Sequence, residues 1–243
     1  MTEEHEIAWT DEKISRLWSF YSKSEHFSQS YFSKAYGRKI LRAINEPLSA
    51  KQDVLDFGCG PGFLWDHMRN LKSNWRYSAL DFSEKSISML KDRISGHPLF
   101  ADASFVSKLP TKFRNESFDI VLLIEVIEHL SDEHLHATIL EATRVLRNGG
   151  LLVITTPNEE DLARSKVFCP DCGSIFHIWQ HIRSWSVSTL SERLGGYGYK
   201  IKLKRACDFS NAGFRGFVKN AINFALDPKR VKPHLIMVLK KPE

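Results

Sequence analysis

Residues 54–57, Val-Leu-Asp-Phe, form a short apolar run that delivers the chain into Gly58-Cys59-Gly60-Pro61-Gly62, and a helical pattern resumes at Phe63. Three glycines in five residues let the backbone turn sharply and admit a ligand where a Cβ would clash. A strand entering such a loop, with a helix leaving it, puts the loop at the carboxyl edge of a parallel sheet, where open α/β folds bind ligands. The G-x-G-x-G spacing departs from the G-x-G-x-x-G of dinucleotide-binding loops. Asp56, two residues before the first glycine, would repel a pyrophosphate and suits a cationic ligand, a sulfonium carrying an α-ammonium group.

The rest of the chain supplies a matching frame. Ile14, Leu17, Trp18 and Tyr21, then Tyr31, Phe32, Ala35, Ile40 and Leu41, recur at helical spacing and predict two N-terminal helices. Strands are expected at 77–80, 98–101, 118–124, 151–155, 199–203 and 235–239. Helices are expected at 63–71, 84–94 (capped by Ser83), 132–146 (closed by Asn148-Gly149-Gly150) and 187–194. This alternation predicts an α/β fold: a mostly parallel sheet covered on both faces. No internal repeat or low-complexity linker is present, so one domain is expected. It comprises an N-terminal helical cap (1–50), a ligand-binding core (51–157), a Cys/His insertion (158–186) and a C-terminal part with a basic helical insertion (187–243).

With 42% hydrophobic and 26% charged residues, the chain is neither disordered, collagen-like nor coiled coil. No apolar stretch approaches the roughly 18–20 residues of a membrane helix. The acidic start, Met1-Thr2-Glu3-Glu4-His5-Glu6, is unlike a signal peptide, so a soluble, cytoplasmic protein is expected. The net charge of +5 is concentrated late, in Lys202, Lys204, Arg205, Arg215, Lys219, Lys229, Arg230 and Lys232. Such a tail suits an anionic substrate or a nucleic acid, although its dispersed spacing favours a solvated surface.

Two more acidic residues are expected at strand ends: Asp81, to accept both ribose hydroxyls of a nucleoside, and Asp102, to accept an adenine amino group. Phe82 and Ala103 follow them as an apolar wall. Each aspartate alone would read as a turn or cap; three at successive strand ends point to one ligand. With these motifs the chain resembles the class I S-adenosylmethionine-dependent methyltransferases, through 54–62, Ala79-Leu80-Asp81-Phe82, Ala101-Asp102-Ala103, residues 117–130 and the Arg144-to-Ile154 stretch. The resemblance implies a Rossmann-like seven-stranded sheet with an antiparallel last strand and S-adenosylmethionine across the strand tips. It implies a cofactor site of Asp56, Gly58, Cys59, Gly60, Gly62, Asp81, Phe82, Asp102, Ala103 and Glu125. The N-terminal helices and the chain past Pro157 would choose the acceptor.

Methyl transfer to an oxygen also requires loss of its proton. Glu125, Glu128 and His129 follow the fourth sheet strand at spacings that share one helix face. Three readings stand. His129 is a general base with the glutamates positioning ligands; all three hold a divalent metal; or the glutamates cap a helix around a buried histidine. The metal reading is similar to small-RNA 2′-O-methyltransferases, which add a later histidine, here His181. The same E-x-x-E-H string is similar to ubiquinone-biosynthesis O-methyltransferases. The expected acceptor is a small or carrier-borne metabolite (sugar, phenol or lipid-linked intermediate). RNA is the alternative, and a module that binds cofactor or partner without turnover the third reading.

Cys169-Pro170-Asp171-Cys172-Gly173 with His177 and His181 makes a C-x₂-C-x₄-H-x₃-H pattern, which suits a closed tetrahedral structural zinc site. His181 cannot serve this zinc and an active-site metal together. Tyr21 is the expected lid aromatic and Cys59 a small packed side chain. Arg183 and Arg215 are candidates to meet an anionic acceptor, or else surface ion pairs.

Overall fold

Alternating buried residues along 52–57 show how the sheet is built: Leu55 and Phe57 point to one face, Val54 and Asp56 to the other, and all four are buried. A strand buried on both faces belongs in the middle of a helix-covered parallel sheet. The computed structural model describes residues 3–44, 50–210 and 231–243. Arg215, Lys219, Lys229 and Arg230, with most of the expected basic helical insertion, lie outside the described residues.

In chain order the elements are β1 (His5–Glu6), α1 (Asp11–Lys23), α2 (Glu25–Ser28), α3 (Phe32–Ile44), β2 (Gln52–Phe57), α4 (Phe63–Asn70), β3 (Trp75–Asp81) and α5 (Glu84–Ile94). They continue with β4 (Phe100–Phe105), β5 (Phe118–Ile124), α6 (Asp132–Val145), β6 (Leu146–Pro157), β7 (Lys166–Phe168), β8 (Ser174–His177), α7 (Val187–Gly195), β9 (Lys200–Cys207) and β10 (His234–Lys240). Seven strands form one sheet in the order β4-β3-β2-β5-β6-β10-β9. β2 to β6 pair in parallel, and β10 runs antiparallel to both neighbours. One core layer joins Ile40, Trp65, Met68 and Leu90 to one face; the other joins Phe57, Val121, Ile139, Leu190 and Met237. No described helix is long and apolar enough to cross a membrane.

The expected Rossmann-like sheet is present, with its antiparallel final strand. Two local details differ. β4 runs on to Phe105, leaving Asp102 level with Ser78 inside the sheet. α6 ends at Val145 without a glycine cap, and β6 begins at once, pairing Leu146 with Phe118 before residues 147–150 loop out and Leu151 rejoins Ile120. The Cys/His segment adds a small sheet of its own, β1-β8-β7, in which the N-terminal β1 pairs in parallel with β8.

Gly62 opens α4 in the left-handed region at φ 78°, and a Cβ there would lie 2.1 Å from Leu90 Cδ1. Gly62→Ala therefore combines backbone strain with a core clash and should cost about 1–3 kcal/mol. Urea unfolding measures this; an unchanged midpoint would refute the assigned loop geometry.

Candidate active site

The glycine loop is tied to the tip of β3 by its own peptide groups. Gly58 and Cys59 N–H donate to Leu80 O at 2.8 and 3.1 Å. Asp81, last in β3, accepts from Gly60 N–H at 2.8 Å through one oxygen and from Ser83 N–H at 2.7 Å through the other. The carboxylate is thereby held between loop and α5, with lone pairs remaining for a ligand's hydroxyls. Burial raises its pKa to about 6. Asp56 is buried and accepts from Tyr77 O–H at 2.7 Å; burial raises its pKa to about 7 against that hydrogen bond. Cys59 is packed inside, its thiol pushed up by burial.

Asp102 does not join them. It lies three residues short of the β4 tip, roughly 10 Å at about 3.3 Å per residue. Its carboxylate meets Lys112 Nζ at 2.9 Å and Ser104 Oγ at 3.1 Å. Against partial burial, these partners hold it below the usual carboxylate range. Ala103 is buried in the core, so it forms no wall either. The apolar groups open at this rim are Phe82, 39% exposed and stacked on Phe57, and Phe105, 46% exposed beside Asp81.

A second cluster stands beside the loop. A Cβ on Gly58 would fall 2.6 Å from Val126 Cγ2, so Val126 packs directly on that glycine. Val126 leads into a single 3-10 turn, Ile127–His129. Glu125 just before it is left-handed at φ 53°, so the three acidic and basic residues do not share one helix face as their spacing predicts. Glu125 turns to Thr155, accepting from Oγ1 at 2.7 Å, and leaves the trio. Glu128 is buried; Oε2 accepts from Thr156 Oγ1 at 3.1 Å and Oε1 has no hydrogen-bond partner. Burial, and for Glu128 the nearby Glu125, raise both glutamates above the ordinary range.

The residues that join Glu128 and His129 come from beyond β6. His129 and His181 rings lie 4.9 Å apart, and His181 stacks on His177 at 4.5 Å. His181 Nδ1 meets Glu160 Oε2 at 2.5 Å. A carboxylate accepts, so that nitrogen carries the proton and Nε2 keeps its lone pair. His129 Nδ1 faces the Gln180 carbonyl at 3.4 Å, which likewise leaves Nε2 free, 3.9 Å from Glu128 Oε1. His177 is the reverse: its Nδ1 accepts from the backbone N–H of Trp179 and of His181, both at 3.2 Å, so its proton sits on Nε2, 3.4 Å from Glu160 Oε1. Burial and the neighbouring His181 and His177 push the His129 pKa down to about 3.

Ligand atoms of Glu128, His129 and His181 all lie within 4.8 Å of one another. Two lone-pair imidazole nitrogens and an unpartnered carboxylate oxygen fit a divalent cation, with Glu160 bracing His181 from behind. Glu160, His177 and His181 are likewise mutually close. The cysteines are absent from both groups. Cys169 and Cys172 sit at the closed end of the β7–β8 hairpin, whereas His177 pairs with Lys166 at its open end. The expected Cys169/Cys172/His177/His181 set is therefore not assembled: a strand's length separates thiols from imidazoles, and the His177 tautomer offers no lone pair at Nε2.

Aromatic residues of α1 wall this cluster. Trp18 meets the His129 ring edge-on at 5.1 Å and donates Nε1–H to Gln180 Oε1 at 3.2 Å; Gln180 Nε2 donates on to His129 O at 3.0 Å. Tyr21, the expected lid residue, is buried and donates to Ile178 O. The ring lying over the glycine loop is Tyr31, which a Cβ on Gly60 would approach to 3.1 Å. Arg183 pairs with Asp132 at 2.9 Å and is an ion pair. Tyr31 belongs to the N-terminal aromatics from which the sequence points to Tyr21; for Glu160 and Gln180 the sequence offers only the acidic run Glu159-Glu160-Asp161 just past β6.

Residues 27–203 match the family model described as methyltransferase domain, which is well over half of the chain. The chain belongs to that family. A ubiquinone biosynthesis O-methyltransferase from Sinorhizobium fredii is 33% identical over 105 residues, covering 43% of this chain and 41% of that protein. A probable S-adenosylmethionine-dependent methyltransferase from Mycolicibacterium smegmatis is 28% identical over 153 residues, 63% of this chain and 54% of that one. The alignments thus span only about half the length of these relatives. Among solved structures, a Burkholderia thailandensis 1,6-didemethyltoxoflavin-N1-methyltransferase with bound S-adenosylhomocysteine superposes with TM-score 0.65 at 17% identity, covering 100% of this chain and 94% of that one. The Haloferax volcanii complex of the Trm112 activator and a methyltransferase gives TM-score 0.66 at 16% identity, covering 93% of this chain and 98% of that one. At such identities the likeness is one of fold.

The raised pKa of Asp56 has a thermodynamic consequence. The native carboxyl binds its proton up to about pH 7, the unfolded one only to about 3.8. Between these values the native state holds more protons, so stability falls as pH rises, by up to about 1.4 kcal/mol per pH unit for this group. Urea unfolding of the ligand-free protein should become easier from pH 4.5 to 7.5, and Asp56→Asn should flatten the slope; an unchanged slope would contradict the assignment.

Proposed function

We propose that this methyltransferase domain moves a methyl group from S-adenosylmethionine to a hydroxyl of a small or carrier-borne metabolite. The observation that carries the reading is the cluster of His181, Glu160, His129 and Glu128, joined to the glycine loop through Val126, which packs on Gly58 at the head of the 3-10 turn; such a cluster can take the proton that oxygen methylation releases. The O-methyltransferases among the relatives support the choice of oxygen.

The donor would lie over Gly58–Gly62, its ribose hydroxyls on Asp81, its base between Phe82 and Phe105, and its cationic end toward Asp56. The acceptor oxygen attacks the sulfonium methyl in line; the C–O bond forms as the C–S bond breaks, and S-adenosylhomocysteine leaves. Alignment and exclusion of water are the main work, and Trp18 and Tyr31 supply the walls. The hydroxyl proton goes to His181 Nε2, because Glu160 on Nδ1 holds the tautomer that can accept it. His129, kept neutral with a pKa of about 3, is a weak proton acceptor and serves to position.

RNA 2′-O-methylation is the second reading, favoured by the convergence of Glu128, His129 and His181. A divalent metal held by these residues would lower the pKa of a bound hydroxyl. The third reading, a module without turnover, is set against both.

Release of S-adenosylhomocysteine should be followed with phenol, sugar and lipid-linked pools and with RNA. Turnover on a metabolite pool supports the proposal, turnover confined to RNA with dependence on magnesium or manganese supports the second reading, and none on any pool supports the third. His181→Ala should lower kcat by about 10²-fold or more while calorimetry shows S-adenosylhomocysteine affinity unchanged. Asp81→Asn should weaken that affinity. Full activity in His181→Ala would remove His181 from the mechanism.

A further inference from the structure

The two cysteines that the active site leaves out have a third neighbour. The β7–β8 hairpin closes through Cys169 N–H to Ser174 O and Gly173 N–H to Cys169 O, both 2.9 Å. This turn carries Cys169 and Cys172 together at the closed end of the hairpin. Parallel pairing of β1 with β8 sets His5 opposite Ser174, held by His5 N–H to Gly173 O at 3.1 Å. His5 Nδ1 lies 3.1 Å from Glu3 O, a carbonyl that can only accept, so the proton is on Nδ1 and the lone pair on Nε2. Ser174 Oγ stands between that nitrogen and a thiol, 3.1 Å from Nε2 and 3.2 Å from Cys172 Sγ; the three ligand atoms are therefore not all within 4.8 Å of one another and close on one ion as the hydroxyl swings out.

We propose that Cys169, Cys172 and His5 hold a zinc ion at this turn, separate from the histidine cluster and independent of the methyl-transfer reading. Two soft thiolates and an imidazole, with no carboxylate among them, are the donor set zinc prefers over magnesium or manganese. The thiols each release a proton to solvent on binding. The Ser174 hydroxyl, now between sulfur and imidazole, rotates aside and donates to a thiolate. Cys172 is exposed, so water reaches the fourth position. This ligand set also removes the competition for His181, which stays with Glu160 and His129.

The site has a structural task. β1 is two residues long and, among the described residues, pairs with β8 alone. Its other ties to the hairpin include the Glu6–Lys166 ion pair and the edge-on contact of Trp9 with Phe176. A zinc bridge from His5 to the hairpin fixes the approach to α1, whose Trp18 and Tyr21 wall the active site.

The test is elemental analysis of the full chain, produced with zinc and purified without chelator. About one zinc per chain is expected, retained in His177→Ala and His181→Ala and lost in His5→Ala and in Cys169→Ser/Cys172→Ser. His5→Cys, which restores a ligand, should recover it. Cobalt(II) exchanged into the wild type should give near-ultraviolet thiolate-to-cobalt charge-transfer bands, a signature the thiol-free active-site cluster cannot produce and one that needs no variant to fold. Zinc retained at full occupancy in His5→Ala, zinc lost in His181→Ala, or a wild type that gives no thiolate–cobalt bands would each overturn the proposal.

Discussion

Contact between Val126 and the bare backbone of Gly58 decides where everything else in the site can be. A side chain at Gly58 would push the end of β5 away from the loop after β2. Without it, Val126, at the head of the 3-10 turn carrying Glu128 and His129, packs on the loop whose Gly60 N–H Asp81 holds. The glycine loop and the histidine–carboxylate cluster are thus joined through one packing contact. The sheet contributes by putting the ends of β2, β3, β5 and β6 side by side at one edge, as parallel neighbours must be.

Electrostatics in this contact is a balance of like charges. Glu125, Glu128 and Glu160 act on one another, and three imidazoles, His129, His177 and His181, fill the space between. Burial makes each ionised form costly, so protons are shared out by geometry. Backbone amides fix the His177 tautomer, a carboxylate fixes that of His181, and a carbonyl fixes that of His129. The cluster is therefore organised by its hydrogen-bonded surroundings as much as by the side chains themselves.

Much of this was legible in the sequence because it is local. Alternation along 52–57 and 118–124, the glycine spacing, and Ser83 ahead of α5 depend on a few consecutive residues, and the sheet follows from them. Asp102 lies inside β4 and not at its tip because the strand runs four residues past Ala101, to Phe105, which the pattern ending at Ala101 does not reveal. The Cys/His pattern failed because ligand spacing presumes a compact loop, whereas residues 174–177 are extended and carry His177 away from the thiols. Glu160, Gln180 and His5 were missed for one reason: each meets its partner across a large sequence separation, and no periodicity encodes that. The Glu125–Glu128–His129 motif was found, but its geometry was not, since the left-handed Glu125 breaks the assumed helix.

Gln180 carries a constraint on how this chain can vary. Fully buried and left-handed at φ 61°, it accepts from the indole of Trp18 with its oxygen and donates to the His129 carbonyl with its nitrogen. A primary amide is the group of this size that does both; glutamate would lose the donor and leucine both partners. Positions 18, 129 and 180 are thereby bound into a single unit of inheritance, and a homologue that replaces the indole frees the amide and the imidazole to diverge with it.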